Sequence, residues 1–257
     1  MAARTAARVR IGELWIDRLD FEGALVALER LVDAGAGGAV FTPNVDHVVV
    51  ADRHPEFRAA YARADLSLVD GQPVVWAARL LGEPQPAKIS GSDLMLPLLE
   101  LAARRKLRVY LVGGPPGAGE EAAAKMRREL GVNVVGVESP LIPQAASPLD
   151  QELAARICAA RPHLLLVFLG APKGELFIDR LRDQIAPAVA VQLGAGLDFY
   201  VGRVSRAPRW MQRSGLEWLY RLFREPRRLA RRYLLDDPKF VAILWRTWRL
   251  PRAERER

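Results

Sequence analysis

The chain has one cysteine in 257 residues, three histidines, and no apolar run near the roughly 20 residues that a bilayer-spanning helix requires. The one thiol, Cys158, excludes an intrachain disulfide, and its helical register with Leu153 and Ile157 predicts buried packing rather than a nucleophile. His47, His54 and His163 lack metal-ligand spacing and no two aspartates stand two apart, so no metal site is expected. Each histidine reads as structural, with His163 opening a buried strand. Arg4, Arg8 and Arg10 make the N-terminus basic, but no apolar h-region follows, so no secretory signal is expected and a reducing cytoplasm fits.

What the chain does have is unevenly placed charge. The formal net charge is +8, yet residues 203–257 alone carry 15 arginines and one lysine against six acids, which leaves −2 for residues 1–202. Such asymmetry points to an anionic partner for the last fifth: a membrane surface, nucleic acid or a phosphorylated substrate. The preference for arginine over lysine suits planar, bidentate contact with phosphate. Arg221, Arg224, Arg228 and Arg231 recur at three- and four-residue steps, although Pro226 interrupts a continuous face. From Lys239 to Leu250 aliphatic, tryptophan and arginine residues mix, which suits a membrane interface and packing on the rest of the chain equally.

Patterning predicts a hairpin over residues 8–17, a helix from Asp20 to near Gly35, and a strand over 39–42 that stops at Pro43-Asn44. Residues 45–63 read as helical with a break at His54-Pro55, 65–70 as a strand, and the next helix runs through Leu81. Ser92 is expected to cap a helix reaching about Arg105. Strands over 108–112, 132–137, 163–169 and 189–193 then alternate with helices over 120–130, 148–160 and 173–184. This alternation predicts an α/β fold, a Rossmann-like, mostly parallel sheet covered by helices on both faces. A boundary near residue 203 divides an α/β domain (1–202) from a basic helical appendage (203–257) that holds four of the six tryptophans.

Within that frame, the run from Leu66 to Trp76 ends a strand in Asp70, turns on Gly71 and enters an apolar helix. Open α/β sheets bind ligands at the carboxyl ends of their strands, so Asp70 is a candidate general base and Gly71 lets a substrate approach the backbone. The alternative is that Asp70 only caps the following helix. Residues 113–119 join a strand to a helix, where backbone amides can receive an anion. This loop fits neither G-x-G-x-x-G nor the P-loop pattern, which disfavours a dinucleotide-dependent oxidoreductase. Glu120 and Glu121 repel phosphate there, so Gly113 and Gly114 suit a nucleoside better than its diphosphate, or form only a tight turn.

Four segments, Thr42-Pro43-Asn44, Val69-Asp70-Gly71, Ser90-Gly91-Ser92-Asp93-Leu94 and Gly170-Ala171-Pro172-Lys173, carry a resemblance to the WecG/TagA/CpsF glycosyltransferase family. The long run from Asp198-Phe199 to Tyr233 strengthens it, with Arg206-Ala207-Pro208, residues 215–222 and Glu225-Pro226-Arg227-Arg228. The resemblance implies inverting, metal-independent transfer of a hexose-type sugar, often N-acetylmannosamine or its uronic acid, from UDP to a polyprenyl-diphosphate-linked sugar. It implies no cofactor beyond the UDP-sugar. It also implies a peripheral protein on the cytoplasmic face of the bacterial inner membrane, whose appendage meets the anionic surface and completes the active site. By motif, Asp70 matches the base and Thr42 a neighbouring active-site threonine, while Lys88 stands where the family usually has arginine. Asn44, Gly113, Gly114, Asp198 and Arg206 are then expected at the substrates, with Arg221, Arg228 and Arg231 at the donor diphosphate. The family usually reads Pro-Lys-Gln-Glu where this chain has Pro172-Lys173-Gly174-Glu175, which puts the donor sugar in question.

Two rival readings stay open. A nucleic-acid-binding protein would use the arginine-rich tail, with a steep salt dependence, and would leave Asp70 without a role. A family member inactivated through Lys88 and Gly174 would serve as an assembly partner. Nucleic acid is not the expected partner, and self-association is left open.

Overall fold

The computed structural model describes residues 7–83, 87–205, 207, 208, 210, 211 and 214–256, the side chains of Arg228 and Arg232 excepted. The chain opens with an antiparallel hairpin, β1 (Arg8–Ile11) and β2 (Leu14–Asp17). A buried ion pair, Arg8 to Asp17 at 2.6 Å, ties its two strands, and Asp17 also accepts the Ser67 amide at 2.7 Å. Six further strands are β3 (Gly38–Phe41), β4 (Leu66–Ser67), β5 (Arg108–Gly113), β6 (Asn133–Glu138), β7 (Leu164–Phe168) and β8 (Val189–Gln192). They form one wholly parallel sheet in the order β4-β3-β8-β7-β5-β6.

Parallel strands buried on both faces read as continuous apolar runs, and the five residues of β7 are all buried. Leu164, Leu166 and Phe168 join a core with α1 (Phe21–Ala34), α5 (Gly91–Arg104), α6 (Ala118–Leu130) and α9 (Gly196–Val201). Leu165 and Val167 join the opposite core, with α2 (Val45–Arg53), α3 (Pro55–Arg63), α4 (Gln72–Leu80), α7 (Pro148–Ala160), α8 (Lys173–Leu181) and the hairpin. The Rossmann-like expectation holds, and the helix boundaries follow local chemistry. Asp20 accepts the Gly23 amide at 2.7 Å to start α1, and Gly35 ends it at φ +61°.

Several details differ from the sequence reading. The expected strand over 65–70 pairs as a ladder only at Leu66–Ser67, although Leu68 and Asp70 still donate to the Phe41 and Pro43 carbonyls. Ser90, not Ser92, caps α5, its Oγ accepting the Asp93 amide at 3.1 Å. Helix α9 (Gly196–Val201) falls in a stretch for which the patterning assigned no element. Cys158 is exposed rather than buried, because Leu153, Ala154 and Ile157 set the inner face of α7 and position 158 falls on its flank.

Beyond residue 203 come helices Glu217–Arg224 and Pro226–Arg231, a π-helical turn over Arg232–Asp236, and helix Lys239–Trp248. The last buries Phe240, Ile243 and Thr247 against α2 and β1, and Thr247 Oγ1 accepts the Gly12 amide at 2.9 Å. Its opposite face exposes Val241, Trp245 and Trp248. Phe240 and Ile243 share one core with the N-terminal hairpin, so the two ends of the chain are packed together.

Candidate active site

A cleft of about 900 Å³ opens at the carboxyl ends of the central strands, and the helices after residue 203 close one side of it. In sheet order β3 runs outward to β4 while β5 runs the other way to β6, so chain direction reverses there, as ligand sites of open α/β sheets require.

Asp70 is fixed on the cleft floor by its backbone. Its amide donates to the Pro43 carbonyl at 2.7 Å, which sets it beside the exit of β3, and the Val69 carbonyl accepts the Ile89 amide at 2.7 Å. Gly71 caps α4 at φ +107° with no side-chain hydrogen bond, so the capping role for Asp70 is not what the structure shows. No hydrogen bond or ion pair holds its carboxylate among the described residues. The surrounding protein desolvates the group and pushes its pKa from 3.8 to about 6. Lys88 opposes that rise, Glu217 adds to it, and His47 and Arg221 also oppose it. These charges come from both sides of residue 203.

Thr42 is buried next to Pro43, its Oγ1 donating to the Gln192 carbonyl at 3.4 Å. Asn44 caps α2 in a reciprocal box with His47. His47 Nε2 lies 3.0 Å from Oε1 of Glu175, which is fully buried, and Glu175 Oε2 has no hydrogen-bond partner among the described residues. His47 is therefore structural, as expected, but it also lines the cleft. Lys88 Nζ sits 3.4 Å from Glu217 and 3.5 Å from Asp93, tying the strand-end loop to helix Glu217–Arg224.

The other expected site residues divide. Gly114, Asp198 and Arg221 line the cleft with Asp70, Thr42, Asn44 and Lys88. The Arg221 guanidinium forms no ion pair among the described residues. Gly113 ends β5, where a Cβ would lie 2.8 Å from the Phe168 carbonyl oxygen, so it serves close packing beside the cleft. Arg231 is exposed and lies outside the cleft wall. Arg206 and the side chain of Arg228 lie outside the described residues. Glu217, Trp218 and Gln192 also line the cleft and were missed. Gln192 carried a signal, a polar residue ending an otherwise apolar buried strand. Among the described residues no three His, Cys, Asp or Glu side chains are grouped to hold a metal ion.

The site combines a carboxylate with a pKa raised to about 6, a guanidinium and a lysine in one concave, half-apolar space. It can take a proton from a hydroxyl while stabilising negative charge on a departing group. The chain matches the glycosyl transferase WecG/TagA/CpsF family over residues 9–254. It is 34% identical over 214 residues to the N-acetylglucosaminyldiphosphoundecaprenol N-acetyl-beta-D-mannosaminyltransferase of Bacillus spizizenii, covering 83% of this chain and 80% of the relative.

Proposed function

The chain belongs to the WecG/TagA/CpsF family of glycosyl transferases, and on that premise we propose that it transfers a hexose-type sugar from UDP to a polyprenyl-diphosphate-linked sugar in cell-surface polysaccharide synthesis. Asp70 takes the proton of the acceptor hydroxyl, whose oxygen attacks the anomeric carbon. The bond from that carbon to the diphosphate oxygen breaks, and UDP leaves with the electron pair. A single displacement of this kind inverts the anomeric centre. Arg221 and Lys88 stabilise the charge that develops on the diphosphate, in place of a divalent ion.

The observation that carries this reading is Asp70 with its pKa near 6 in the same cleft as Arg221, which forms no ion pair among the described residues. The test is a panel of UDP-sugars with a short-chain prenyl-diphosphate-N-acetylglucosamine acceptor, read by mass spectrometry with and without EDTA. One donor should add one sugar to the acceptor, unchanged by EDTA. A folded protein that transfers from none of them would refute the reading.

A peripheral membrane position fits a lipid-linked acceptor. No helix among the described residues is long and apolar enough to cross a membrane. Val241, Trp245 and Trp248, with the two indoles stacked at 5.1 Å, form the exposed face of helix Lys239–Trp248, and Leu234 and Leu235 are exposed just before it. Replacing Val241, Trp245 and Trp248 with serine is expected to weaken binding to anionic vesicles by about tenfold or more. Because Phe240, Ile243 and Thr247 stay in place, transfer to a soluble acceptor should change by less than about threefold, within the range of surface substitutions. Undiminished vesicle binding would move the membrane contact elsewhere.

A further inference from the structure

Gln192 ends β8 and is only 3% exposed although polar. Its Nε2 donates to the Leu169 carbonyl at 2.8 Å, and its Oε1 accepts the Gly194 amide at 3.3 Å. Its own carbonyl accepts from Thr42 at 3.4 Å. One residue thus joins the loops leaving β3, β7 and β8, and it lines the same cleft as Asp70.

The Gln192 amide occupies the space over the first turn of α8. A Cβ on Gly174 would lie 1.8 Å from Gln192 Nε2 and 2.5 Å from Cδ, far inside contact distance. Helix α8 is held in place there, because the next residue, buried Glu175, is paired with His47. Gly174 and Gln192 therefore form one steric unit, and a side chain at 174 excludes the amide from its present position.

We propose that Gln192 determines which donor sugar the cleft accepts, and that it does so because position 174 has no side chain. This rests on the transferase reading above. An amide offers two N–H donors and two acceptor lone pairs, and the two bonds of the Gln192 amide use one of each. What remains, in the wall of the cleft, suits a hydroxyl or acetamido substituent of the sugar. A site built to hydrogen-bond a substituent discriminates against donors that lack it. Gly174 then makes room for the Gln192 amide and is no mark of decay.

The test compares UDP-N-acetylmannosamine, UDP-N-acetylglucosamine and UDP-glucose in wild type, Gly174→Ala, Gly174→Gln, Gln192→Ala and the exchange Gly174→Gln/Gln192→Gly. UDP binding by calorimetry reports folding. Gly174→Ala and Gln192→Ala should each lower the kcat/KM ratio between best and second donor by about tenfold or more, with UDP affinity kept within about threefold. The exchange should restore a ratio that Gly174→Gln alone loses. A wild-type ratio in Gln192→Ala overturns the proposal and leaves the transferase reading standing. Absence of transfer by the wild type from every donor overturns both. If the single variants lose UDP binding, the exchange decides: recovery supports the pairing, and no recovery overturns it.

Discussion

Asp70→Asn is expected to lower turnover by roughly 10²–10⁴ while making the protein more stable. Asparagine keeps the size of the side chain and cannot accept the acceptor's proton. The stability gain follows from the same burial that tunes the base. Folding raises the Asp70 pKa from 3.8 to about 6, so the folded chain holds this proton more tightly than the unfolded chain. The stability contributed by the neutral carboxyl is complete below 3.8 and is lost as pH rises through about 6. A shift of this size corresponds to at most about 3 kcal/mol, and contact with solvent in the cleft reduces it to the order of 1–2 kcal/mol. The variant should therefore melt above the wild type at about pH 8, and the difference should vanish near about pH 4. Near-normal turnover would remove Asp70 from the chemistry.

Arg221→Ala is expected to cost about 10²–10³ in kcat, because it deletes a preorganised cation facing the charge that develops on the diphosphate. The loss should appear with a soluble acceptor as well as a lipid one. Arg231→Ala is the control, since Arg231 is exposed and outside the cleft wall. Its effect on the soluble reaction should stay below about threefold, as for most surface substitutions. Equal losses in the two variants would mean that the appendage acts through general positive charge rather than through one positioned arginine.

Most of the fold was legible because it depends on local signals. Continuous apolar strands, Asp20 and Gly35 at the ends of α1, and the break at His54-Pro55 each act within a few residues. Asp70 and Thr42 were legible as strand-end residues. The pairing across residue 203 was not, because Lys88 and Glu217 are separated by 129 positions and only the folded chain brings them within 3.4 Å. The arginine spacing suggested one diphosphate-binding set, yet Arg221 lines the cleft and Arg231 does not. Helix Pro226–Arg231 and the π-helical turn after it break the uniform spacing that the sequence alone offers. Gly174 read as a loss because the Gln192 amide that fills the space beside it comes from β8, 18 positions further along the chain.

If burial and charges from both ends of the chain tune Asp70 as the base, the pH dependence of kcat/KM in wild type, Lys88→Met and Glu217→Gln must show it. The wild type should lose activity below a single ionisation near 6. Lys88 lowers and Glu217 raises the Asp70 pKa, so the acid limb should move to higher pH in Lys88→Met and to lower pH in Glu217→Gln, whatever the height of the plateau. A profile flat through this range, or limbs that coincide in all three proteins, would contradict the account.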